Sequence, residues 1–347
     1  MGATITAAEA RALAADWLSS ADLDGLRSAY LVGSMLDLAA ADPLPPWSDV
    51  DLMVVVDRPS PLPKVGKLDH RGLLLDVTLL AADQMASPQV ALADYHLAPG
   101  LRRAQILTDH DGGLARLSAQ VAAEFAQPEW VERRCAHALA RIVGNLDGAM
   151  VAALPWPQRV MAWLFGAAVA AHVLLVAGRR DPTVRRRYVA TARMLGTAGL
   201  GEVQEELLDL LGCARLSAAQ VAAHLAALEP AFDAAATAAS AAGAAGGEQP
   251  WRSDITLRAR PIAIEGSRAL IEAGWHREAV FWLAATFCRC CLIAPREPLA
   301  VDGLAALLAD LGVADDAALA GRVAQARAYL PRLRELAQRL AQSPATA

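Results

Sequence analysis

At 347 residues, with a formal net charge of −5 and a pI near 5.8, the chain is long enough for two ordinary domains. It carries no global positive field of the kind that draws nucleic acid. Hydrophobic residues make up 55% but aromatics only 5%, an alanine-rich balance that points to closely packed helices rather than an all-β protein, while the acidic charge suits a small, particularly a cationic, substrate.

The first predicted element is a helix over Thr6–Ser19, capped by Thr6, with Ala10, Leu13, Trp17 and Leu18 on one apolar side. A strand at Ala29–Val32 runs into Gly33-Ser34, followed by a short helix over Met35–Ala40 whose free N–H groups and dipole would face an anion. Asp49–Asp57 reads as the second strand, ended by the breaker run Arg58-Pro-Ser-Pro-Leu-Pro63, which leaves Lys64 and Lys67 in a loop. A third strand follows at Gly72–Leu80, then a helix over Ala82–Leu97, a short strand at Ala104–Leu107 and a helix over Leu114–Phe125. A boundary falls near Gln127-Pro128. Beyond it the pattern is helical: 129–153, 158–177, 182–195, 201–211, 217–241, 256–273, 277–294, and two more helices after Leu299. The alanine-glycine stretch Ala234–Gly247 is expected to end in a mobile loop. The expected fold is therefore α+β, with a mixed-sheet domain over 1–127 and an all-α bundle over 128–347.

Val160–Gly178 has the length of a membrane span and no formal charge, but it is rich in alanine, contains His172 and stands alone in a soluble pattern. It is expected to be a central helix of the bundle, with no membrane partner. The five cysteines, Cys135, Cys213, Cys288, Cys290 and Cys291, form neither an even disulfide framework nor a Cys-x-x-Cys zinc pair. They read as buried thiols in a reducing cytosol, and the N-terminal residues lack the basic-then-apolar pattern of a secretory signal, so the expected location is cytoplasmic.

The chemistry concentrates in residues 30–56. Asp49 and Asp51 open an apolar strand one position apart, and a side-chain period of two puts both carboxylates on one face. Adjacent carboxylates repel, and a divalent cation bridging their oxygens is the usual compensation, most often Mg2+ carrying a phosphate-bearing substrate. A third acid, Asp76, stands at the centre of the apolar run Leu73–Leu80, against both β-propensity and burial preference. Gly-Ser alone is a common turn and Asp-x-Asp alone a common strand start; the three acids together carry the reading.

Gly33-Ser34, a gap, Asp49-x-Asp51 and Asp76 on a later strand resemble the signature of the polymerase-beta-type nucleotidyltransferase superfamily over about the first 110 residues. The proline-rich insert Asp42-Pro-Leu-Pro-Pro-Trp47 lengthens the loop before the acidic pair. A sheet domain followed by a helical bundle is similar to the aminoglycoside nucleotidyltransferases, in which the second domain supplies the acceptor site. The resemblance implies two Mg2+ ions held by Asp49, Asp51 and Asp76, with Asp76 taking the acceptor proton and Gly33 and Ser34 holding the terminal phosphates of an NTP. It implies transfer of a nucleoside monophosphate, AMP by preference, to a hydroxyl of a small acceptor such as an aminoglycoside-like antibiotic. A protein side chain as acceptor, as in adenylylating toxin–antitoxin systems, and a non-catalytic nucleotide sensor of the same fold are the alternatives.

Further residues are candidates for the nucleotide. Lys64 and Lys67 could reach triphosphate oxygens or simply be solvated. Trp47 could stack on a base or pack its loop. Arg185 and Arg186 sit in the densest basic run, near the start of a helix expected from Asp181-Pro182, where the dipole disfavours cations. They point to nucleotide phosphate or to a charged solvated face. Glu132 is a weaker candidate for a base on the acceptor.

Overall fold

A computed structural model describes residues 4–58, 64–242 and 251–343. The described residues divide into two compact units. The first takes those up to Gln127 together with those of 247–262, and the second takes the rest. Residues 251–262, which the sequence pattern grouped with the helical half, thus belong to the sheet-bearing unit.

Among the described residues of the first unit, five strands form one mixed sheet in the order β3-β4-β2-β1-β5. They are β1 (Leu26–Val32), β2 (Val50–Val56), β3 (Lys64–His70), β4 (Leu73–Ala81) and β5 (Gln105–Asp109). β2 and β4 run parallel, and the other neighbours are antiparallel. The alternation in β2 decides its faces. Val50, Leu52 and Val54 join Leu31, Leu75 and Val77 in a core completed by Ala7, Ala10, Ala14 and Leu18 of α1 (Ala7–Ser20), while Asp51 and Met53 project from the opposite face. Thr6 and Glu9 close a capping box at the start of α1, Thr6 accepting from the Glu9 N–H and Glu9 from the Thr6 N–H.

β3 is the element the sequence reading lacked. Two lysines, a glycine and an aspartate give Lys64–His70 little β-propensity, a composition that suits an edge strand. It is set by the turn after it. Arg71 and Gly72 both have positive φ, 52° and 87°, and join the closing pair His70–Leu73 in a two-residue hairpin of the primed type that strand twist favours. The breaker run Pro59–Pro63 lies outside the described residues.

Two expected helices are shorter than the pattern suggested. Ser34–Asp37 forms a single 3-10 turn rather than a helix over Met35–Ala40, too short to build a macrodipole. Pro88 and the extended Ser87 and Asp94 break the stretch expected as one helix over Ala82–Leu97 into a 3-10 turn at Ala82–Met85, α2 (Pro88–Ala93) and α3 (Leu97–Arg102). α4 (Gly113–Glu124) completes the unit's N-terminal portion.

The second unit is helical. It comprises α5 (Pro128–Ala149), α6 (Trp156–Ala177), α7 (Arg187–Thr197), α8 (Val203–Leu210) and α9 (Ala218–Ala242), and, beyond the short α10 (Arg260–Ala263), α11 (Glu265–Glu272), α12 (His276–Ile293), α13 (Pro298–Asp310) and α14 (Asp316–Gln342). The one described helix long and apolar enough to cross a membrane is α6, and 83% of its most apolar window is buried within the protein, as befits a core helix packed by α5, α12 and α14. All five cysteines are buried and unbridged. The end of the alanine-glycine run, 243–250, lies outside the described residues.

Candidate metal centre

Strand register builds the site. Asp51 is opposite Val32 of β1 on one side and Asp76 of β4 on the other, and Asp76 is in turn opposite Lys67 of β3. Directly opposed residues share a face, so Asp51, Asp76 and Lys67 form one row across three strands, on the face away from α1. Asp49, the residue before β2, joins the row by the two-residue period. One carboxylate oxygen from each of Asp49, Asp51 and Asp76 lies within 4.8 Å of the other two, with Asp76 buried and Asp49 and Asp51 half-buried.

Gly33 is shaped to this cluster. Its backbone sits at φ 78°, ψ −163°, a region essentially closed to other residues, and a Cβ there would lie 2.1 Å from Asp51 Oδ2. The absent side chain is therefore what lets the β1 turn close over the Asp51 carboxylate. Ser34 follows it, exposed, as the first residue of the 3-10 turn. Trp47 is exposed two residues before Asp49.

The structure adds a cation that the sequence reading had left in a loop. Lys67 Nζ is 2.5 Å from both Asp49 Oδ2 and Asp76 Oδ2 and 3.4 Å from Asp254 Oδ1, and its side chain is only 8% exposed. Burial works to lower its pKa, but the carboxylates of Asp49, Asp254 and Asp76 together outweigh that penalty and hold the ammonium well above its ordinary value. Asp254 belongs to a 3-10 turn, Arg252–Asp254, that covers the outer edge of β3. There Ser253 Oγ accepts the Lys67 N–H at 2.9 Å, while Arg258 pairs with Asp69 and donates to the Gly72 carbonyl. An edge strand's free N–H is thereby paired and its inward lysine fixed at the root.

The Asp254 contact has no local signature in the sequence, since the neighbouring Ser253 stands 186 residues from Lys67. Lys67 had one: the Arg71-Gly72 turn before an apolar strand implies a partner strand ahead of it, and a residue five positions before Gly72 then faces the same row as Asp76.

The remaining candidates fall elsewhere. Lys64 starts β3 opposite Thr78, and its side chain lies outside the described residues. Arg185 and Arg186 belong to the second unit. The helix expected from Pro182 begins only at Arg187, with Arg186 exposed at its cap and Arg185 laid across Gly266, where a Cβ would lie 1.8 Å from its Nη1. Arg185 thus has a packing role inside the helical unit. Glu132 is exposed on α5.

Three carboxylates in this spacing are a hard oxygen donor set, suited to Mg2+, Mn2+ or Ca2+ and not to thiophilic metals. The glycine cradle beside Asp51 and the partial exposure of Asp49 leave an approach for an ion and its ligands. The donor set fits a divalent cation; the Lys67 ammonium already holds two of its oxygens. No protein-family model matches the chain, and no curated sequence matches it.

Proposed function

We propose that this protein is a divalent-metal-dependent nucleotidyltransferase of the polymerase-beta-type superfamily, moving a nucleoside monophosphate, AMP by preference, from an NTP to a hydroxyl of a small acceptor. The observation that carries the reading is the convergence of Asp49, Asp51 and Asp76 within 4.8 Å on one face of the sheet, beside a glycine whose missing side chain makes room for Asp51. A bound Mg2+ would neutralise the triphosphate and lower the pKa of the attacking hydroxyl. Asp49, Asp51 and Asp76 would hold the metal and orient the reacting phosphate, and Gly33 and the exposed Ser34 would meet its outer oxygens. Trp47, exposed beside the acidic pair, offers a stacking surface for a base. The absence of a basic field favours a small acceptor over a polynucleotide, and an aminoglycoside-like antibiotic is the concrete candidate.

The test is a pyrophosphate-release screen of the four NTPs against hydroxylated small molecules, with Mg2+ and with EDTA. Turnover is expected to need metal and to fall at least about a thousandfold in Asp49→Asn and Asp51→Asn, each still folded by circular dichroism. Full turnover in the Asp49→Asn/Asp51→Asn double variant would sink the reading. A second reading, a nucleotide-binding sensor without transfer, is favoured by one observation: the Lys67 ammonium already neutralises Asp49 and Asp76. Metal-dependent ATP binding with no pyrophosphate release for any acceptor would establish it.

A further inference from the structure

We propose that Lys67 is a tethered counter-ion that holds the metal position and must be displaced before a divalent cation can enter, so that it sets the metal concentration at which the site loads. This rests on the metal-site reading above and adds a residue to it that lies outside the three acids.

The geometry makes ammonium and metal mutually exclusive. Lys67 Nζ lies 2.5 Å from one oxygen each of Asp49 and Asp76. An ion such as Mg2+ takes carboxylate oxygens at about 2.1 Å, so it would occupy nearly the same place and claim the same lone pairs. The lysine is built into the position rather than fallen there. Its Cα is fixed opposite Asp76, its N–H is held by Ser253, and a third carboxylate, Asp254, flanks the ammonium from the strand-edge cover. Asp51 completes the acidic row beside Asp49 and Asp76, so four carboxylates gather around this position. A divalent ion would bring two charges to these carboxylates where the lysine brings one.

A flexible four-carbon stem lets the ammonium leave without moving β3. Asp49, whose side chain is 22% exposed, is the face from which an ion would arrive. A merely structural ion pair would be indifferent to metal, whereas a competitor must weaken metal binding by as much as metal weakens its hold on the acids.

The experiment measures Mn2+ alone, by electron paramagnetic resonance and by the metal-induced shift in melting temperature. It uses the full-length wild type, Lys67→Met, Asp51→Asn and Arg27→Gln. Lys67→Met is expected to bind Mn2+ at least tenfold more tightly than wild type and to show the larger melting shift. Arg27→Gln removes the same charge from the same unit, at an exposed pair with Asp57 outside the cluster, and its affinity should stay within about threefold of wild type. Equal affinity in wild type and Lys67→Met, with binding lost in Asp51→Asn, would overturn the counter-ion role while leaving the metal site standing. No Mn2+ binding in either protein would overturn both. If Lys67→Met does not fold, Lys67→Gln, a neutral donor of similar reach, is measured in the same way. Failure of both to fold even with Mn2+ present counts against the proposal, because a displaceable lysine is dispensable once metal replaces it.

Discussion

The two units bury charge in opposite ways. In the helical unit, buried polar groups meet partners of opposite or neutral character on other segments of the same unit. Arg159 pairs with Asp316 at 2.6 Å and donates to the Ala149 carbonyl at 3.0 Å. Gln204 donates to Glu278 at 3.1 Å, and Arg187 donates to the Val184 carbonyl while lying over the Phe281 ring. In the sheet unit, strand register instead brings like charges together around Lys67. Like charges gathered in an interior oppose folding, because desolvation and mutual repulsion add. The helical unit pairs unlike groups; the sheet unit gathers carboxylates that, on the function proposed above, a metal would share.

Gly33→Ala tests the sheet side of that contrast and should have the largest effect. A Cβ would meet Asp51 Oδ2 in a backbone region that disfavours any side chain, so the turn or the carboxylate must move. Strain alone costs on the order of 1–3 kcal/mol, measurable as a lower urea midpoint. Displacement of Asp51 should also weaken Mn2+ binding at least tenfold. Lower stability with unchanged metal affinity would mean that Gly33 serves the turn and not the cluster.

Glu278→Ala tests the helical side. It strands the Gln204 amide, which is 8% exposed, and should destabilise by about 1–3 kcal/mol in urea unfolding. Mn2+ affinity should not change. A tenfold change in metal binding would break the contrast, since it would tie a buried helical pair to the chemistry of the sheet.

What was legible follows the same division. Asp49, Asp51 and Asp76 could be read because a strand's period of two and an acid inside an apolar run are local signals. The helices of the second unit announced themselves by long alanine-rich runs between prolines, and α6 by its continuous apolar stretch. β3 could not be read by propensity: Lys64-Val-Gly-Lys-Leu-Asp-His70 is held as a strand by its pairing with β4 and by the cover at Arg252–Asp254, both tertiary effects. Missing β3 meant placing Lys67 in solvent, and so missing the cation at the centre of the acids. The opposite error arose at Met35–Ala40, where a helix was expected but the extended Leu38 ends the element after a single turn.

The smallest expected effect is alkaline, and it belongs to the helical unit, where all five buried thiols lie. Burial pushes Cys135 up to about 12 and Cys291 up to about 11, from an ordinary value of 9.0. Below pH 9 these thiols are protonated in folded and unfolded chains alike, so their contribution is fully present. As pH rises from 9 towards 11 the unfolded chain loses its protons first, and stability falls. The melting temperature of the wild type should therefore drop more steeply over this range than that of a Cys135→Ala/Cys291→Ala variant. The difference between the two slopes should be the same with Mn2+ and with EDTA. A metal-dependent difference would show that the thiols sense the acidic cluster, and the two ways of burying charge would no longer be separable.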